Sequence, residues 1–253
     1  MLEQLFEEAK QAIEQYYDEK FDESKLAPEL CGYRFLLSSK STFRADIPIM
    51  IIDDHPGPNF KQEGKAQHSR ELELKDYPYP SCEEVSAYIG EDWDADKPKG
   101  YADMQVRMRV IMKKLMQLTR YSGSLDEFAL NGVLALYGTP YRKGFHGKAL
   151  RPIWKNILDE LQPPLIFVFG GSVFEKIVLS HFGISKDDVD TIETGQANYS
   201  FKLKEVTCGN KKSLIVYMAP HSRFPYGREK GAQLAAVSEM WNRVRTFISD
   251  NNL

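Results

Sequence analysis

Ile47-Pro48-Ile49-Met50-Ile51-Ile52-Asp53 is the stretch whose reading decides the fold. Its apolar side chains follow one another without the alternation of a half-exposed strand, so a strand built from them has no polar face to offer water. Such runs belong inside parallel sheets whose two faces are both covered. Two more runs have this character: Leu165–Phe169, stopped by Gly170-Gly171, and Ser213–Ala219. Glu127–Leu136 is a further strand candidate, and residues 198–207 alternate (Tyr199, Phe201 and Leu203, with Lys202 and Lys204 between), as an edge strand would. Helical periodicity fills the intervals. Residues 2–20 form an amphipathic opening helix, and a short helix is expected near 82–89. Residues 101–120 carry a stripe of Met104, Met108, Ile111, Met112, Leu115 and Met116. Ala149–Leu161 turns Ile153, Trp154, Ile157, Leu158 and Leu161 inward, Ser172 is a fitting N-cap for a helix over 173–182, and residues 229–249 close the chain. Buried strands alternating with helices predict an α/β fold, a three-layer α/β/α sandwich around a mainly parallel four-stranded sheet. No repeat or linker divides the chain, so residues 1–253 read as one domain. Residues 1–45 form an N-terminal helical extension and the polar stretch 61–100 an insertion.

Composition narrows the function. With 253 residues, 42% hydrophobic and 27% charged, the chain has a globular composition and length enough for a full core. No apolar run reaches the ~18 residues of a membrane span, and the acidic first helix is no signal peptide. Cys31, Cys82 and Cys208 are odd in number and form no CxxC pattern. A disulfide framework, a zinc knuckle and an iron–sulfur cluster are therefore not expected, and neither metal nor cofactor is assigned. A reducing, cytoplasmic setting fits best. The net charge of −3 hides an asymmetry: residues 1–100 hold 22 acidic and 12 basic residues, a net of −10, and residues 101–253 hold 14 and 21, a net of +7. A basic half suits a polyanion, and the acidic N-terminal part leaves room for a protein partner.

In parallel sheets ligands sit beyond the carboxyl ends of the strands. The first strand runs into Asp53-Asp54-His55-Pro56-Gly57-Pro58, and the second carries Asn131 and leads to Tyr141-Arg142-Lys143. The third ends at Gly170-Gly171-Ser172, and the fourth at Pro220-His221-Ser222-Arg223-Phe224-Pro225. Carboxylates, histidines, an amide, a Gly-rich turn and an arginine are thus gathered at one rim.

In this order the motifs resemble those of the uracil-DNA glycosylase superfamily. Ile51-Ile52-Asp53-Asp54-His55-Pro56-Gly57-Pro58 has the shape of its first motif, a strand followed by x-P-G-P. Ala129-Leu130-Asn131-Gly132-Val133-Leu134 is similar to the family's strand with a base-reading Asn. Pro163–Gly170 resembles the helix-to-strand segment that ends in Gly, and Ala219–Pro225 resembles the H-P-S-P motif with its DNA-intercalating loop. The likeness spans residues 45–250. It implies a monofunctional glycosylase that flips a damaged, deaminated or modified base out of DNA and hydrolyses its N-glycosidic bond. Asn131 would read the base edge with one donor and one acceptor. His221 would donate to the leaving base and stabilise its growing negative charge. Asp54 and His55 would position water and the cationic sugar. Asp53, Pro56, Gly57, Phe60 and Gly170 would line the base pocket, with Tyr77 and Tyr79 as further stacking candidates. Arg142, Lys143, Ser172 and Ser222 would contact DNA, and Arg223 or Phe224 would fill the gap left by the flipped nucleotide. The chain departs from the family at Asp53, where the family has Gly, and at His55, where it has Asp or Asn, which points to a base other than uracil. No Lys lies at a strand end, so Schiff-base chemistry is not expected.

Two other readings stay open. Asp53, Asp54, His55 and His221 have the donors of a metal-dependent phosphoesterase, although neighbouring Asp53 and Asp54 point to opposite sides of an extended chain. A non-catalytic DNA-binding module on the same fold is the other. His68, His146 and His181 show no partner pattern and read as surface or core residues.

Overall fold

The computed structural model describes residues 38–44, 47–53, 86–90, 96–133, 146–171, 174–196, 199–218 and 228–253, together with 4, 7, 8 and 11. The last four are all helical, in line with the opening helix, and Gln4 Nε2 donates to Glu8 Oε1 at 3.1 Å. The sheet strands are β1 (Ile49–Asp53), β2 (Ala129–Val133), β3 (Leu165–Phe169), β4 (Asp190–Glu193), β5 (Ser200–Cys208) and β6 (Lys211–Met218). The helices are α1 (Ala87–Gly90), α2 (Asp103–Leu118), α3 (Leu125–Phe128), α4 (His146–Leu161), α5 (Ser180–Phe182) and α6 (Ala232–Asp250). A π-helix over Phe174–Leu179 precedes α5.

The protein is α/β, and the described residues form a mixed sheet of six strands in the order β2-β1-β3-β6-β5-β4. β2, β1, β3 and β6 run parallel, and β5 and β4 are added antiparallel. The parallel strands correspond to the three apolar runs and to the further strand candidate, Glu127–Leu136, picked out in the sequence. The register stacks Ile49, Leu165 and Leu214 in one row and Ile51, Phe167 and Val216 in the next. These rows share a core with Met108, Ile111, Met112 and Leu115 of α2 and with Met240, Val244 and Phe247 of α6. The alternate side chains Met50, Ile52, Ile166, Val168 and Ile215 are buried as well, as are Ile153, Trp154, Ile157 and Leu158 of α4. The Phe174 ring of the π-helix lies 5.0 Å from that of Tyr217, on the same side as Val168. Water is therefore excluded from both sides of β3.

Four expectations need correction. The sheet has six strands, because β4 and β5 extend the four parallel ones. The alternating strand is β5, but it is not the edge: β4 pairs along its outer side. Alternation reports only which side of a strand is wet, and β5 with its buried Phe201 and Leu203 is dry on one face in either place. Residues 125–128 are a helical turn, and β2 starts only at Ala129. Asp126 favours this turn by accepting the Ser86 N–H at 2.8 Å. The single helix expected over 173–182 is a π-helix followed by the short α5, and its proposed cap, Ser172, lies outside the described residues.

Two substitutions test the packing. Phe167 is fully buried in the shared core, so Phe167→Ala should cost about 3–5 kcal/mol in urea unfolding. Ser213 is also fully buried, and its Oγ has no hydrogen-bond partner among the described residues. Removing an unsatisfied hydroxyl relieves a desolvation cost, so Ser213→Ala should leave stability unchanged or raise it by about 1 kcal/mol.

Candidate functional site

The parallel strands end together. Asp53, the last residue of β1, pairs with Val133, the last of β2, and Phe169 at the end of β3 pairs with Met218 at the end of β6. The chain therefore leaves four neighbouring strands along one edge. Gly170 follows β3 with φ +94°, a conformation that favours glycine, and its carbonyl accepts the Phe174 N–H at 3.1 Å. That bond ties the start of the π-helix to the end of β3.

Three of the predicted site residues fall on described backbone. Asp53 closes β1, Gly170 follows β3, and Asn131 stands on β2 at the register position of Ile51, two residues before the strand ends. The sheet order makes their strands neighbours, with β1 between β2 and β3. Asp54, His55, Pro56, Gly57, Phe60, Arg142, Lys143, Ser172, His221, Ser222, Arg223 and Phe224 lie outside the described residues. So do the stacking candidates Tyr77 and Tyr79.

At the opposite edge, where the parallel strands begin, a cavity of about 530 Å³ opens between Ile47, Pro48, Thr119, Tyr121, Leu165 and Leu253, with Lys211 and Lys212 on its wall. Its lining is mainly apolar.

A second feature belongs to the same end of the sheet. Asp159 lies in the last turn of α4, His181 in α5, and Cys208 at the end of β5, beside the turn into β6. One carboxylate oxygen, one imidazole nitrogen and the thiol sulfur lie within 4.8 Å of one another. His181 Nε2 is 3.1 Å from Asp159 Oδ1. Cys208 Sγ donates to the Leu158 carbonyl at 3.5 Å. The His181 side chain is 9% exposed and that of Asp159 66%, so the group is closed on the protein side and open at the carboxylate. The His181 ring meets Phe182 edge-on, with centroids 4.6 Å apart. Cys208 is held by a two-residue hairpin loop, Gly209-Asn210, in which Gly209 takes φ +58°, as such loops require. Asp159 is held by the end of α4, where Gln162 Nε2 donates to the Asp159 backbone carbonyl at 3.0 Å.

Burial shifts both titratable partners toward their neutral forms. His181 is held below its ordinary 6.5, chiefly by desolvation, with Asp159 pulling it back up and Lys155 pushing it down. The Cys208 thiol is pushed up by burial and then by Asp159, with Lys211 opposing. The sequence carried no sign of this group. Its members stand 22 and 27 residues apart in the chain, match no ligand spacing, and meet only because α4, α5 and the β5–β6 hairpin converge.

No protein-family model matches the chain, and no curated protein matches it. Among the described residues no helix is long and apolar enough to cross a membrane.

The His181 shift has a definite sign. A histidine whose folded pKa lies below its unfolded value contributes stability that is complete above the unfolded value, and this is lost as the pH falls through the folded one. Urea unfolding in EDTA should therefore show stability declining as the pH falls below about 6.5. His181→Gln should flatten that decline relative to the parent chain.

Proposed function

We propose that the chain is a monofunctional DNA glycosylase that flips a damaged, deaminated or modified base and hydrolyses its N-glycosidic bond. In this reading residues 1–253 are one uracil-DNA glycosylase-like domain, a three-layer sandwich with a helical extension over 1–45 and an insertion over 61–100. The observation that supports it most is the strand order β2-β1-β3-β6. Four parallel strands finish along one edge, and the motif-bearing segments follow those strands in the sequence: Asp54-His55-Pro56-Gly57 directly after β1, Gly170-Gly171-Ser172 directly after β3, His221-Ser222-Arg223-Phe224 soon after β6, and Arg142-Lys143 farther on after β2. Catalysis at such an edge suits the general placement of ligands in parallel sheets. Asp54 and His55 serve the water and the sugar cation, and His221 serves the leaving base. Asn131, Phe60 and Gly170 serve base recognition, and Arg223 or Phe224 the wedge. The net of +7 over residues 101–253 favours a phosphate backbone as partner.

The deciding experiment incubates the full chain with oligonucleotides containing uracil, hypoxanthine, xanthine or hydroxymethyluracil, and with modified phage DNA, and detects free base by mass. Release of one base, with alkali-labile sites appearing in step, is the expected outcome. Asn131→Ala and His221→Ala should each slow release by ~10²-fold or more. Salt-dependent binding to abasic duplex with no base released from any substrate would favour the non-catalytic DNA-binding module instead.

A further inference from the structure

We propose that Asp159, His181 and Cys208 form a binding site for a single zinc ion, with water in the fourth position. Three different elements deliver one donor atom each to one small volume, and all three donors lie within 4.8 Å of one another. A tetrahedral zinc ion with bonds of about 2.0–2.3 Å needs donors roughly 3.3–3.6 Å apart. The 3.1 Å contact between His181 and Asp159 is already that close. Only modest contraction is required of the rest.

The donor chemistry selects the ion. Thiol, imidazole and a single carboxylate suit a borderline-soft cation. Calcium and magnesium call for shells made mainly of oxygen, and iron–sulfur clusters for several thiolates. One nitrogen of His181 lies near both the carboxylate and the sulfur. A proton relay would instead use the two ring nitrogens in opposite directions, so the geometry is that of convergence on a point. The environment is also built for a ligand. Cys208, with 3% of its surface exposed, has only the weak bond to Leu158 among its described hydrogen bonds, while the Asp159 side chain is 66% exposed, so the group is reached from solvent at the carboxylate. The adjoining π-helix is a rare conformation that is frequent beside functional sites.

Binding balances simply. The Cys208 S–H bond breaks, its proton passes to solvent, and the thiolate lone pair bonds to zinc, which stays divalent; the neutral His181 ring carries its one proton on Nδ1, so the Nε2 that faces Asp159 gives its lone pair to the ion. The ion would pin α4, α5 and the β5–β6 hairpin to one another at the end of the sheet away from the proposed DNA site. The proposal therefore stands or falls independently of the glycosylase reading.

The test uses the full chain stripped with EDTA and titrated with Co²⁺. One equivalent should produce a thiolate-to-cobalt charge-transfer band and the visible bands of a tetrahedral site, and Zn²⁺ should abolish both. Cys208→Ser should lose the charge-transfer band although Cys31 and Cys82 remain. Asp159→Asn alters an exposed side chain and should fold. It should weaken cobalt binding by at least the ~10-fold that even outer-shell changes cost. Zn²⁺ should raise the Tm of the parent chain and leave that of Cys208→Ser unchanged. Absence of the band in the parent chain, or its persistence in Cys208→Ser, would overturn the site. Should Cys208→Ser fail to fold, unchanged cobalt affinity in Asp159→Asn overturns it equally.

Discussion

Five consecutive side chains of β3 are withdrawn from water. A strand in that state cannot lie at a surface, so it must have a strand on each side and cover on both faces. β1 and β6 supply the flanks. α2 and α6 pack on the face that carries Phe167, and the opposite face, with Ile166 and Val168, is buried as well. The rest of the molecule is arranged around this requirement. Parallel neighbours cannot be joined by tight turns, so each must be reached by a crossover; α2 lies between β1 and β2 and α4 between β2 and β3, whereas α6 follows the last strand and covers the sheet without joining two strands. The common strand ends along one edge are a by-product of the same parallel pairing.

This explains which parts of the fold could be read from the residues. Ile47–Ile52, Leu165–Phe169 and Ser213–Met218 announce themselves because double burial leaves no polar position in the run, and the stripe on α2 because a helix in contact with a sheet needs one apolar side. Where the physics is local but two-faced, the reading slips. Phe128 ends a helical turn and Ala129 begins a strand, yet their apolar run is continuous; the turn is marked by the Glu127 N–H to Ser124 carbonyl bond and by the Ser86 amide bonded to Asp126, neither of which shows in hydropathy. β4 contributes a single buried side chain, Ile192, to its strand, too little to show periodicity. Phe174, Val178 and Leu179 are spaced much as in an α-helix, and the wider π turn leaves no mark on composition.

The candidate sites divide in the same way. Asp53 and Gly170 stand at the ends of strands that are conspicuous in the sequence, and Asn131 lies within the strand candidate beside them. Asp159, His181 and Cys208 could not be found there, because their proximity comes from tertiary convergence alone. A buried cysteine with no nearby cysteine, and a histidine beside a phenylalanine, look like ordinary packing until the hairpin at Gly209 and the end of α4 are brought together.

The shortest strand has a consequence for the life of the protein in a crowded solution. Among the described residues the sheet stops at β4, and an edge of that kind offers its outermost backbone groups to any passing extended chain, which is where proteins zip together into aggregates. β4 makes a poor template. It is four residues long, Asp190 and Glu193 put negative charge at both ends, and Arg243 of α6 is fastened to Asp190 at 3.0 Å. A second copy aligning here would meet the Glu193 carboxylate at one end and the Asp190–Arg243 ion pair at the other, along a strand too short to repay the encounter. The strand that the sequence signals most faintly is thus the one suited to keeping neighbouring copies apart.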